Sequence, residues 1–177
     1  LFATVYSTTL ASNIIDYYGE ILEPPHVLDW NFFNSGHARN SLFDIDGVFC
    51  ENPPWEVCQD EQSYINYISN VEPYYKRIPK LFYAKALVTG RLEKYRSITE
   101  EWLKKHKFNY QKLIMFPTER EQERNNNHYF VVGKYKADVA NQDKATFFVE
   151  SEMSEAKVIK EYCPKLHVVC PNDYVYL

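Results

Sequence analysis

With 177 residues, 45% of them apolar and 25% charged, the chain can bury one substantial core and is too ordinary in composition for a disordered or fibrous protein. No run approaches the roughly 18 apolar residues of a membrane helix, and no signal-like stretch opens the sequence. The net charge of −4 is uneven: residues 76–112 hold eleven Lys/Arg against three Glu, a local +8 that suits either a solvated helix face or an anionic substrate.

In chain order, LFATVYSTT alternates as a strand, and LASNIIDYYGEILEPP reads as a short helix stopped by Pro24-Pro25. HVLDWNFF is expected to be extended and NSGHARN a loop. SLFDI is a short buried strand that ends at the Asp46-Gly47 turn signal. Seven acids and no Lys or Arg fall between residues 44 and 72. ENPPWEVCQDEQ is a loop there and SYINYISNV a short helix, so about 48–79 reads as a small insertion. FYAKALVTG is the next strand. EKYRSITEEWLKKHK is the clearest helix, with Tyr95, Ile98, Thr99, Trp102, Leu103 and His106 on one side. YQKLIMFP is a strand, TEREQERNNNH an exposed loop, YFVVG a strand and KYKADVANQ a short helix. ATFFVE, MSEAKVIKEYC and LHVVC complete a strand–helix–strand run.

The alternation from residue 41 onward predicts an α/β fold, a Rossmann-like and mostly parallel sheet with helices on both faces. Ligands of such sheets bind beyond the carboxyl ends of the strands. Three apolar strands here end on Asp44, Thr89 and Glu150, which would bring carboxylate, hydroxyl and carboxylate to one edge. Cys50, Cys58, Cys163 and Cys170 form no metal-ligand spacing and are read as reduced thiols of a cytoplasmic protein.

Asp44 and Asp46, two positions apart at a strand end, repel each other unless a cation or a reaction uses them. A hard ion such as Mg²⁺ accepts a few carboxylate oxygens. With it, Asp44 can attack phosphorus while Asp46 protonates the leaving alcohol and later deprotonates water. The plain alternative is a turn-forming or calcium-like acidic pair.

The ordered set FDIDGV, LVTGR, KYKAD and FFVESE resembles the four motifs of the haloacid dehalogenase-like (HAD) phosphohydrolase superfamily. The resemblance implies Asp44 as nucleophile, Asp46 as general acid and base, Thr89 as the phosphate-binding hydroxyl and Lys136 as the charge-balancing lysine, with Lys134 as the alternative. It implies a Mg²⁺ site at Asp44, Asp46, Glu150 and Glu152, although Glu150-Ser151-Glu152 departs from the adjacent acids common in that family. Gly90, Arg91 and Arg96 would bind substrate; an arginine such as Arg96 at a helix start is equally often only exposed. The stretch TGRLEKYRSITEEWLKKHKFNYQKLIM is similar to polynucleotide kinase-phosphatase type domains. The N-terminal half resembles the HAD module that follows a phosphoribosyltransferase domain in certain fusion proteins. On that likeness residues 1–40 are a junction packed on a domain of residues 41–177, and a chain that starts at Leu1 is expected to be a fragment or processed product. The expected activity is hydrolysis of a small phosphorylated metabolite, a nucleotide or phosphoribosyl compound. The alternatives are a polynucleotide 3′-phosphatase, with nucleic acid as partner, and a non-catalytic module supporting a phosphoribosyltransferase domain.

Overall fold

The computed structural model describes residues 1–21, 32–172 and 175–177. Strands β1 (Ala3–Ser7) and β2 (Tyr17–Ile21) pair in parallel with each other. The second sheet is built from β3 (Ser41–Phe43), β4 (Ala86–Leu92), β5 (Leu113–Phe116), β6 (Phe147–Val149), β7 (His167–Cys170) and β8 (Val175–Tyr176). Its order is β5-β4-β3-β6-β7-β8, with the first five strands parallel and β8 antiparallel to β7. The helices are α1 (Glu61–Asn70), α2 (Arg96–Lys105), α3 (Glu121–Asn126), α4 (His128–Asp143) and α5 (Met153–Tyr162). None of the described helices is long and apolar enough to cross a membrane.

Side chains alternate across the sheet with the period of two that a strand imposes. Phe43, Leu87 and Val149 share one core with Trp102 and Leu103 of α2, joined by Phe32 and Phe33. Leu42, Ala86, Val88, Phe148 and Val168 share the other with Ala137 and Ala140 of α4 and Ala156 and Ile159 of α5. Each fully buried ring or branched side chain removes enough apolar surface from water to contribute about 1.5–3 kcal/mol. The expected α/β architecture, a parallel sheet flanked by helices, is therefore the one observed.

The chain runs outward from β3 through β4 to β5, then returns to the opposite side of β3 with β6. Strand order thus reverses at β3 and β6, where open α/β sheets form a crevice. The ladder continues past both strands: Asp44 N–H donates to the Val149 carbonyl and Glu150 N–H to the Val169 carbonyl, each at 2.9 Å. Both acids are thereby fixed at the lip of that crevice. Residues 50–73 leave the sheet and return to their starting point. Cys50 bridges Pro73, and Tyr74 N–H donates to the Phe49 carbonyl at 2.7 Å. Within this excursion Asp60 caps α1, and Ile68 packs under it with Tyr95, Met115 and Phe116.

Three local expectations are corrected. Residues 118–133 are not a loop and a strand: Thr118–Arg120 is a 3₁₀ turn, α3 follows, and His128–Asp143 is one helix. A four-residue apolar run has no period of its own, and Val131, Val132, Lys136, Ala137 and Ala140 make a helical stripe that overrides the β-branched pair. The expected N-terminal helix is a 3₁₀ turn at Ala11–Asn13 followed by β2. Tyr17 and Tyr18 favour strand, and Gly19 lets it approach β1 closely, since a Cβ there would lie 2.9 Å from the Val5 carbonyl oxygen. β8 is not among the expected strands, although Val175 and Tyr176 are both strand formers. The extended reading of HVLDWNFF falls largely outside the described residues. Residues 32–40 pack on the sheet through Phe32, Phe33 and Ala38, whereas Ser7 is the one buried residue among 1–21.

β5 is an edge strand. Its Lys112-side carbonyl serves β4 through Leu87 N–H, while the alternate carbonyls of Leu113 and Met115 accept from Arg96 Nη2 at 3.2 Å and Tyr135 O–H at 2.7 Å.

Candidate functional site

Asp44 is held by its own turn and by α4. Oδ1 accepts from Ile45 N–H at 2.8 Å, and Oδ2 accepts from Lys136 Nζ at 2.8 Å. The same ammonium donates to Glu150 Oε2 at 2.6 Å and Glu155 Oε2 at 2.7 Å. Lys136 is 1% exposed. It reaches the carboxylates because Gly133, one turn earlier, lets α4 lie directly on α5, where a Cβ would meet Val158 Cβ at 2.9 Å. Of the two lysines that flank Tyr135, Lys136 turns inward; Lys134 pairs with Asp138 and lies over the Tyr162 ring.

Three buried carboxylates around one ammonium leave two formal negative charges when every group is ionised. That imbalance shows in the titration behaviour. Burial, with Glu150 and Asp46 adding to it against the pull of Lys136, pushes Asp44 up to about 7. Burial likewise raises Glu150 and Glu155, opposed by Lys136. For Lys136 burial acts against the charge, and Asp44, Glu150 and Glu155 outweigh it to hold the ammonium well above the usual lysine value. Ligand oxygens of Asp44, Glu150 and Glu155 all lie within 4.8 Å of one another. Lys136 Nζ already lies among these oxygens at 2.6–2.8 Å, so a hard divalent cation suits the donor set by its residual negative charge and would share it with the ammonium.

Asp46 faces a different cation. Arg91 grips it through two bonds, Nε to Oδ2 at 2.9 Å and Nη2 to Oδ1 at 2.6 Å. The guanidinium is itself buried, with Thr99 Oγ1 3.5 Å from Nη1 and the Trp102 ring centroid 5.8 Å from Cζ. Trp102 is fixed in turn by its indole N–H, which donates to the Val71 carbonyl at 2.8 Å. The Asp46 carbonyl accepts from Ser151 Oγ at 2.9 Å, tying the β3 turn to the β6 turn. Gly47 makes this possible: its φ is +74°, and a Cβ would lie 2.5 Å from Ser151 Cβ.

The structure therefore brings Asp44, Asp46, Arg91, Lys136 and Glu150 to one end of the sheet. Thr89 is buried in β4, and its Oγ1 accepts from Arg91 N–H at 3.2 Å. Gly90 sits under Val132 of α4, whose Cγ1 a Cβ would touch at 3.1 Å. Arg96 is engaged elsewhere, with Glu93, Glu100 and the Leu113 carbonyl. Glu152 is the N-cap of α5, accepting from Ser154 N–H at 3.2 Å, and stands outside the three-carboxylate cluster. Glu155 takes the place next to Glu150 and was not foreseen. A signal for it exists, because Glu155 lies on the same helical stripe as the buried Ala156 and Ile159, and an acid on an apolar stripe needs a partner. His128, the first residue of α4, brings Nε2 to 3.5 Å from Glu155 Oε1. Burial, with Arg124 and Lys136 adding to it, pushes His128 down to about 4.

Access to Asp44 is narrow, since its side chain is 9% exposed. All four cysteines are free thiols, and Cys50 is buried against Asp46. The chain matches no protein-family model and no curated protein sequence.

Proposed function

We propose that the chain is a Mg²⁺-dependent phosphomonoester hydrolase of the HAD type, acting through an aspartyl phosphate on Asp44. The observation that carries this reading is Asp44 beyond the end of a central parallel strand, bonded to a buried lysine that also holds two further acids. Mg²⁺ would be held by Asp44, Glu150 and Glu155, and when bound it would neutralise charge on the phosphoryl oxygens.

The chain's own residues divide the work. An Asp44 oxygen forms the new bond to phosphorus as the bond to the leaving alcohol breaks. Lys136 keeps Asp44 oriented and lowers the cost of bringing a phosphate dianion to a carboxylate. Asp46, once it has taken up a proton from solvent, gives it to the departing oxygen, then removes one from the water that cleaves the acyl phosphate. Its bidentate pair with Arg91 has to loosen for that proton transfer. The phosphoryl group supplies the reason, because its oxygens compete for the same guanidinium. Residues 50–73 act as a small cap over this end of the sheet. The substrate class is a small phosphorylated metabolite, a nucleotide or phosphoribosyl compound, and the setting is a domain that follows a phosphoribosyltransferase in a cytoplasmic protein.

A second reading, a polynucleotide 3′-phosphatase, is favoured by the +8 charge of residues 76–112. The third, a non-catalytic module, is disfavoured because Asp44, Asp46, Thr89 and Lys136 are all groups suited to phosphoryl transfer. Phosphate release from nucleotides, sugar phosphates and 3′-phosphorylated oligonucleotides, with and without Mg²⁺, tests the three. Release that requires Mg²⁺ and vanishes in Asp44→Asn supports a phosphatase, and the preferred substrate separates the first reading from the second. Release that persists in Asp44→Asn removes Asp44 as nucleophile, and silence across the panel supports the non-catalytic module.

A further inference from the structure

The oxygens of the three buried acids are put to different uses. Glu150 Oε1 accepts from Ser151 N–H at 2.9 Å and from Glu152 N–H at 3.0 Å, which fills its lone pairs. Asp44 Oδ1 accepts from Ile45 N–H alone at 2.8 Å, and Glu155 Oε1 faces His128 Nε2 at 3.5 Å. The other three oxygens, Asp44 Oδ2, Glu150 Oε2 and Glu155 Oε2, all turn toward Lys136 Nζ, at 2.8, 2.6 and 2.7 Å. An ammonium has three N–H donors, and each of them is used. The centre of the donor set is therefore filled by a cation that belongs to the chain.

This arrangement constrains how a divalent ion can enter. By formal charge both cations are wanted, since three carboxylates and one ammonium leave two negative charges for the ion to cancel. By contact they conflict. Mg²⁺ requires oxygens at about 2.0–2.1 Å, and Glu150 has only Oε2 to offer, the oxygen that Lys136 holds at 2.6 Å. An ion drawing on that oxygen stands beside Nζ, where two positive charges repel each other. Asp44 and Glu155 each keep a second oxygen with spare capacity, so the ammonium can remain on them. The approach lies at Asp44, whose side chain is 9% exposed against 1% for Glu150 and 5% for Glu155.

We infer that Lys136 is a built-in competitor for the metal: binding of a divalent cation is an exchange in which the ammonium gives up Glu150 Oε2, and Lys136 thereby sets how tightly the ion is held. This rests on the reading of Asp44, Glu150 and Glu155 as the metal ligands. The ammonium keeps three buried acids assembled while no ion is present, and its competition keeps the ion exchangeable.

The test is calorimetric titration of Mg²⁺ alone into the wild-type, Lys136→Met and Lys136→Gln proteins at pH 8, with melting curves to establish that the variants are folded at the titration temperature. Both neutral replacements should bind Mg²⁺ about tenfold or more tightly than the wild type, the order expected when a positive charge leaves the side of a dication. A second measurement needs no variant. Lys136 is the one buried lysine among the described residues, so its ammonium protons are shielded from solvent exchange and should give a proton–nitrogen correlation in the wild-type protein. That signal should shift as Mg²⁺ saturates the site. Equal or weaker Mg²⁺ binding in the folded variants would make Lys136 a scaffold for the acids and overturn the inference; so would an ammonium signal indifferent to saturating Mg²⁺, or no Mg²⁺ binding by the wild type and variants alike. Mg²⁺-dependent phosphate release by a wild type whose Lys136 variants gain no affinity would sink this inference alone. Tightened binding in those variants, from a wild type that releases no phosphate, would sink the phosphatase reading alone.

Discussion

Replacing Lys136 by Met removes the one ammonium among three buried carboxylates and keeps most of the apolar stem. The remaining acids lie within 4.8 Å of each other. At an effective dielectric of about 20, each such pair repels by roughly 3.5 kcal/mol if both members are ionised. Stripping one partner from a buried ion pair typically costs about 3–5 kcal/mol. For a domain with about 5–15 kcal/mol of total stability, that is a large share. The loss is conditional on charge, however. Below the pH at which the three acids ionise, the variant has little repulsion to relieve. Urea unfolding of the metal-free protein at pH 5 and pH 8 should therefore give a modest deficit at pH 5 and one of several kcal/mol at pH 8. Saturating Mg²⁺ should restore part of the pH 8 deficit. A Lys136→Met variant within about 1 kcal/mol of the parent at pH 8 would mean that Lys136 does not balance this cluster, and the reasoning would fail.

Three further outcomes follow from the same geometry. Asp44 sits near 7 in the folded chain against an ordinary value of 3.8, so its favourable contribution is whole below about pH 4 and is lost as pH rises through 7, by at most about 4 kcal/mol; metal-free melting curves should show that decline, and an Asp44→Asn variant with the same slope would contradict it. Glu155→Gln should weaken Mg²⁺ binding by about tenfold or more, while Glu152→Gln should leave metal affinity unchanged and cost a few tenths of a kcal/mol in capping; a thermal-shift titration with equal weakening in both would reject Glu155 as the preferred acid. Gly47→Ala must place a side chain at φ +74° and push against Ser151, so a loss of about 1–3 kcal/mol is expected by denaturant unfolding, and an unchanged midpoint would count against the tight turn.

The parts of this site that were readable in the sequence share a cause. Asp44 and Glu150 close apolar runs, and a parallel strand buried on both faces can end on a polar group only at the sheet edge. Their meeting follows from strand order, which puts β3 beside β6. Glu155 escaped because its position depends on the helical phase of α5 relative to the sheet, set by contacts such as Gly133 against Val158. Arg91 was singled out, but its grip on Asp46 was not, since a guanidinium 45 residues away finds its partner only through tertiary packing. The start of α4 was misplaced for a local reason: Tyr129–Gly133 has the composition of a strand, and packing against α5 decides otherwise.

The capped carbonyls of β5 have a consequence for how this chain can associate. An edge strand with bare acceptors invites another chain to continue the ladder. Here Arg96 and Tyr135 occupy two of those acceptors, and the opposite margin ends in β8, only two residues long. Neither border of the sheet gives an intruding strand a long template. Self-recruitment into cross-strand aggregates is discouraged at both ends of this six-stranded sheet. Because Tyr135 directly precedes Lys136, the helix that balances the carboxylates also seals one of those borders.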